Sequence, residues 1–223
     1  MQIIEPYFII ETPIDGEYIL KRVEKAGRTA YKTEDKITVD SAKKFVKKIL
    51  DMGHESVIEH YSITVRVICD RGVTHEIVRH RIASYTQEST RYCNYSMGKF
   101  GGEIAVIKPC FWNSDSAEDK EKFEMWEEAM KSAEKAYLKL MELGALPQEA
   151  RSVLPNSLKT EIVMTMNLRE WRHFFKLRTS SAAHPQMREI AQPLLDEFKR
   201  QIPVIFDDIV YGEDKISNKT MGD

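Results

Sequence analysis

Apolar and polar side chains alternate with a period of two through Tyr61, Ile63, Val65 and Val67, with Ser62, Thr64 and Arg66 between them. This is the pattern of a half-buried strand. Shorter strand signals occur at "IIEPYFIIE", interrupted or edged by Pro6, at "EIAVIKPCFW" and at "TEIVMTMN". Elsewhere the spacing is helical. Tyr18, Leu20 and Val23 predict a helix that Gly27 ends, and Phe45, Val46, Ile49 and Leu50 predict a second from Ser41 to Met52, with Asp40 as N-cap and Gly53 beyond it. Arg71-Gly72 predicts a turn, followed by a short helix in "VTHEIVRHRI" with Val73, Ile77 and Ile82 on one side and Glu76, Arg79 and His80 on the others, and then a loop.

The longest helical run extends from Ser116 to Leu143. Ser116 and Asp119 resemble a capping box, Phe123, Trp126, Ala133, Tyr137 and Leu140 hold the apolar face, and Gly144 closes the end. "LPQEARSVLP" predicts a short helix that starts at Pro147 and presents Arg151, and "LREWRHFFKLR" predicts another. A last helix from Pro185 to about Arg200 contains Pro193, which should kink or restart it. One domain over residues 1–212 with a frayed polar tail over 213–223 is expected. Strands and helices mix without a βαβ rhythm, which points to α+β or irregular α/β.

Composition narrows the partners. With 33 basic against 35 acidic residues the overall field is weak, which argues against bulk nucleic-acid binding. No window approaches a membrane span and the first residues lack a signal peptide, so a cytoplasmic protein that binds no membrane is expected. The three cysteines form no C-x-x-C pair and read as reduced thiols. Neither a dinucleotide-binding G-x-G-x-x-G after a strand nor a P-loop is present. The histidines show no H-E-x-x-H or i,i+4 pair, so no metal site is expected. Glu55 and Glu59 read as a solvated face or as partners for an arginine, and Trp171 as core that could line a pocket beside Asn167.

The chemistry concentrates in "VRHRIASYTQESTRYCNYS", where Arg79, Arg81 and Arg91 stand among hydroxyls and amides. Arginine keeps its charge, and its planar fork grips phosphate or a carbonyl-imide edge through two bonds at once. A solvated basic helix end would explain the arginines alone. The adjacent Ser84, Gln87, Ser89 and Thr90 favour a polar nest around an anion. On a helix Arg79 and Arg81 point apart and cannot both grip one small group unless the helix ends there; two ligands, or one long one, would resolve this.

The run "RHRIASYTQESTRY" resembles the signature of the flavin-dependent thymidylate synthase family: Arg-His-Arg, seven residues, then Ser and, two further on, Arg. "GHESVIEH", "EARSVLP", "TMNLREWRHFFKLR" and "HPQM" fall in the order that family shows, so the resemblance spans roughly residues 50–190. It implies a mixed α/β fold with a central, mostly antiparallel sheet flanked by helices, assembled as a homotetramer with sites between subunits. It also implies conversion of dUMP to dTMP with methylenetetrahydrofolate as carbon donor, FAD as redox carrier and NADPH as reductant. Matched by position, Ser56, Arg79, His80, Arg81, Gln87, Asn167, Arg169 and His173 would contact FAD, with His184 as a flavin neighbour. Glu76, Arg79, Gln87, Ser89, Thr90, Arg91 and Arg151 would hold dUMP, with Arg151 on its phosphate. Arg178 would sit against the uracil as the main catalytic residue. Thr86, Thr90 and His173 depart from residues frequent in the family at those positions. A flavin route needs no cysteine nucleophile, and none of the three cysteines lies in an obviously activated setting.

Overall fold

The computed structural model describes residues 1–211, and the expected frayed tail lies outside them. Pro6 divides the first strand signal into β1 (Gln2–Ile4) and β2 (Tyr7–Ile10), which join different sheets. β1 pairs in parallel with β5 (Ala105–Ile107). β2 pairs antiparallel with β3 (Ser62–Asp70), which pairs antiparallel with β6 (Lys159–Asn167), and β6 in turn with β4 (Ala83–Gln87). The sheet order is β2-β3-β6-β4. The fold class is thus the expected one: mixed α/β around an antiparallel sheet.

Alternation decides which face is buried. Ile63, Val65, Val67 and Cys69 of β3 and Ile162, Met164 and Met166 of β6 share a core with α1 (Gly16–Thr29), α2 (Ser41–Asp51), α6 (Leu168–Arg178) and α7 (Pro185–Gln201). A smaller core gathers Tyr95, Ile104, Val106 and Leu158 against Met130 and Tyr137 of α4 (Ala117–Glu142).

Five local expectations are corrected. Gly27 lies inside α1, where an added Cβ would come within 2.7 Å of the Phe45 ring; it permits helix packing and terminates nothing. Arg71-Gly72 is no turn: Asp70 accepts from the Val73 amide at 2.7 Å and caps α3 (Arg71–Ile77), so the chain passes directly from β3 into that helix. α3 ends before Arg79 and His80, and Ile82 is 68% exposed instead of joining Val73 and Ile77 inside. The motif segment after it is a strand, β4, with Ser84 and Thr86 on the exposed face; its period-2 pattern is polar and gave no hydrophobic signal. Pro193 neither breaks nor restarts α7, because it sits on the exposed face while Ile190, Leu194 and Phe198 stay buried on the other.

Gly16, at the start of α1, is required for a different reason. A Cβ there would overlap the backbone carbonyl oxygen of Gln201 at the end of α7. Backbone cannot swing aside as a side chain can, so Gly16→Ala is expected to cost about 1–3 kcal/mol. The check is thermal unfolding, in which Gly16→Ala should melt below the unsubstituted protein.

Candidate active site

One face of α6 carries Glu170, Phe174 and Arg178 at i, i+4 and i+8. His80, just beyond the end of α3, packs against that face: its ring centroid lies 5.0 Å from Phe174 and 5.4 Å from His173. The His80 side chain is nearly enclosed, and both ring nitrogens are used. Nδ1 is 3.0 Å from Glu170 Oε1, and Nε2 lies 3.1 Å from the Arg178 Nε–H donor. Since Nε2 accepts, the ring proton resides on Nδ1 and is donated to Glu170. Burial holds the imidazole below its ordinary pKa; the Glu170 bond opposes this and the Arg178 cation reinforces it.

The other nitrogens of Arg178 reach α3. NH1 donates to Glu76 Oε2 and NH2 to the Glu76 backbone carbonyl, both at 3.0 Å. Three separate acceptors therefore fix the guanidinium plane, and the group remains partly exposed. Tyr85 supports the turn from β4, with its hydroxyl 2.8 Å from the His80 carbonyl and 2.9 Å from that of Ile77.

Beside this cluster lies a cleft of about 480 Å³, lined by Asn167, Arg169, His173, Lys176, Glu55 and Glu59 among others. Asn167, Arg169 and His173, three residues matched to flavin contacts, are thus brought together. Asn167 also caps α6, accepting from the Glu170 amide at 2.9 Å, which leaves its NH2 group to face the cleft. Arg169 pairs with Glu59 at 2.6 Å, and Arg172 bridges Glu55 at 3.1 Å to Asp208 at 2.6 Å. His80, Glu170 and His173 bring potential ligand atoms within 4.8 Å of one another. Because His80 Nε2 already accepts from a cation, this trio is a hydrogen-bonded His80–Glu170 pair with His173 packed edge-on against it, and not a divalent-ion cage.

The uridylate-matched residues form a second group, tied to the first through α3. Gln87 donates to Thr74 of α3 at 3.1 Å and to Thr160 at 3.3 Å, so its amide is anchored inward. Glu88 fastens the next turn, accepting from Tyr95 at 2.8 Å and from Lys159 at 3.0 Å. Ser89 accepts from the Arg91 amide at 3.3 Å, Thr90 is buried, and Arg91 Nε reaches Gln148 at 3.3 Å in α5 (Pro147–Ala150), directly before Arg151. Ser56, Arg79, Arg81 and Arg151 are exposed and make no side-chain bond to the rest of the set among the described residues. His184 stands apart, 6.0 Å from the Phe111 ring at the start of α7.

Burial pushes the Cys110 thiol up to about 11 and the Cys69 thiol further, the opposite of activation. Sequence reading missed Glu170, Tyr85, Glu88 and Lys176. Glu170 hid behind Asn167 as part of an ordinary helix start; the Glu170, Phe174, Arg178 spacing was the signal available.

A family model described as "Thymidylate synthase complementing protein" matches residues 17–204. A flavin-dependent thymidylate synthase of Pyrococcus abyssi is 38% identical over 168 residues, 75% of this chain and 66% of that protein, so the match spans just under two thirds of the relative's length. One from Geobacter sulfurreducens is 38% identical over 175 residues, 78% of this chain and 72% of the other. In overall shape the chain matches the crystal structure of a UMP/dUMP methylase from Streptomyces cacaoi bound with 5-Br dUMP, with a TM-score of 0.76 at 22% identity over 92% of this chain and 95% of that one, a likeness of fold. From the matched family model and these relatives, the chain belongs to the flavin-dependent thymidylate synthase family.

Proposed function

We propose that the protein makes dTMP from dUMP, taking its one-carbon unit from methylenetetrahydrofolate, with FAD as hydride carrier and NADPH as reductant, and releasing tetrahydrofolate. The observation that carries this is the Arg178 guanidinium, held by Glu76, itself matched to uridylate, and by His80, whose other partner Glu170 lines the cleft. The relatives' shared name supports a flavin, and the methylase of the same fold supports a uridylate substrate.

The cleft's donors suit a flavin dinucleotide: Asn167 NH2, His173, Arg169 and Lys176 offer hydrogen bonds and positive charge to a long polyanionic ligand. Ser56 and Arg81 belong with them, His80 joins by packing because both its ring nitrogens are engaged, and Gln87 serves both ligands. When bound, FAD supplies the hydride chemistry that no side chain here can. Ser89, Thr90 and Arg91 hold the nucleotide through hydroxyls, backbone amides and one cation, with Arg151 on the phosphate. Arg178 stabilises negative charge on the uracil ring, which makes C5 a better nucleophile. Glu76 keeps that arginine in place.

Arg79, Arg81 and Arg151 carry charge that no ion pair among the described residues neutralises. That supports anionic ligands and a homotetramer whose sites are completed by neighbouring subunits. Among the described residues no helix is long and apolar enough to cross a membrane. A cytoplasmic protein of one catalytic domain over residues 1–212 fits these features.

The test is spectroscopic. FAD-loaded protein should show flavin absorption that bleaches with NADPH under anaerobic conditions and returns when dUMP and methylenetetrahydrofolate are added, as dTMP appears. Protein that takes up no FAD and forms no dTMP would overturn the reading.

A further inference from the structure

Glu170 and His80 are buried polar groups to which neither the family match nor the proposed chemistry gives work beyond flavin contact. Glu170 is 7% exposed and His80 4%, values at which a carboxylate and an imidazole persist only when their bonds are satisfied. Both ring nitrogens of His80 are spent on protein partners, one on Glu170 and one on Arg178. We infer that Glu170 and His80 form a positioning dyad that aims Arg178: the Glu170 carboxylate holds the ring proton on Nδ1, which leaves Nε2 as the acceptor that orients the Arg178 fork.

Tautomer control is the reason two residues are needed. A neutral imidazole has one donor and one acceptor nitrogen, and which is which follows from the bond made by the donor. With the proton on Nε2, that nitrogen would present a hydrogen to the Arg178 Nε–H and the bond would be lost. The groups facing the ring all bear on this balance. From α6, Glu170 accepts, Arg178 donates and His173 packs edge-on; from α3, Glu76 holds the far side of Arg178; from β4, the Tyr85 hydroxyl holds the His80 carbonyl. The depressed basicity of His80 agrees, since a second proton on Nε2 would point at the arginine. Both residues act through Arg178 and are positioning residues.

Two readouts separate this dyad from a merely structural contact. In the first, the full-length protein, selectively 15N-labelled in its histidine rings, is titrated by NMR without turnover. His80 should appear as the Nδ1–H tautomer at pH 7 and gain its second proton only below the ordinary histidine value of about 6.5. A ring in the Nε2–H form, or one titrating at or above that value, would overturn the inference whether or not the protein makes dTMP.

The second readout is kinetic and rests on the dTMP reading. Activity should fall on the acid side as His80 takes its second proton. His80→Gln offers an amide that donates to Glu170 and accepts from Arg178 without titrating; whatever it costs in FAD contact, the activity measured at saturating FAD should lack that acid limb. Glu170→Gln can donate to Nδ1 and release the ring proton to Nε2, so kcat should fall about 10-fold to 100-fold, as expected for a misplaced catalytic group. The remaining acid limb should move to lower pH, because the carboxylate that raised His80's basicity is gone. An unmoved limb in both variants, with only melting temperature reduced, would make the dyad structural. A wild-type protein that forms no dTMP but shows the expected ring spectrum would sink the functional reading and leave the dyad standing.

Discussion

Replacing Arg178 by alanine is expected to lower dTMP formation by at least about 10²–10³-fold, the usual cost of removing a preorganised group that stabilises developing charge. Reduction of bound flavin by NADPH should remain measurable, because the cleft residues Asn167, Arg169 and His173 are untouched. Loss of fold is not the cause of this effect. Arg178 is partly exposed and Glu76 a third exposed, so water can take over the freed acceptors. Arg178→Lys is the sharper control: it restores the charge, but an ammonium has no planar fork with which to meet the Glu76 carboxylate, the Glu76 carbonyl and His80 Nε2 together. Activity in the lysine variant should therefore stay well below one tenth of the unsubstituted protein. If Arg178→Ala instead loses flavin binding while the remaining protein turns over normally when saturated with FAD, Arg178 is a cofactor ligand and its assignment to the uracil is wrong.

The elements with strong apolar periodicity were legible in the chain. β3, β6, α2, α4 and α6 all begin and end within a residue or two of the positions their patterns predict, because each buries one face in a core large enough to enforce the period. β4 was not legible, since a strand whose exposed face is Ser84 and Thr86 looks like a loop when its partner β6 is unseen. The Arg71-Gly72 misreading has a similar origin. Glycine usually marks a turn, but here Asp70 supplies a cap that lets a helix begin directly at the strand end.

The site was legible in its residues but not in their wiring. The signature and the α6 segment supply Arg79, His80, Arg81, Arg91, Asn167 and Arg178, yet nothing local shows that His80 turns inward to Arg178 while Arg79 and Arg81 turn outward. That division follows from where α3 stops. Ending at Ile77, the helix leaves the next residues free of helical spacing, so three consecutive side chains no longer sit at fixed angles. Glu55 and Glu59, read as a solvated face or partners for an arginine, sit in a 3-10 segment and pair with Arg172 and Arg169 on the cleft wall.

Trp171→Ala is expected to be the most destabilising single substitution considered, by about 3–5 kcal/mol. Although Trp171 neighbours cleft residues in sequence, it points to the opposite side of α6 and is 0% exposed. Its ring lies 5.0 Å from Phe198 and 5.5 Å from both Phe174 and Phe175, so truncation opens a cavity that three rigid aromatic walls cannot close. The indole N–H also donates to the Ile63 carbonyl at 3.1 Å, an acceptor in the middle of the buried sheet. At roughly 2–4 °C per kcal/mol for a chain of this size, the melting temperature should fall by about 10 °C or more. Trp171→Phe keeps most of the volume and should recover a large part of that loss, with the remainder reporting the missing hydrogen bond. Both variants must be compared at equal protein concentration, because any assembly adds a concentration-dependent term to apparent stability. A Trp171→Ala protein that melts normally but no longer takes up FAD would place the indole in the cofactor pocket and refute its role as core.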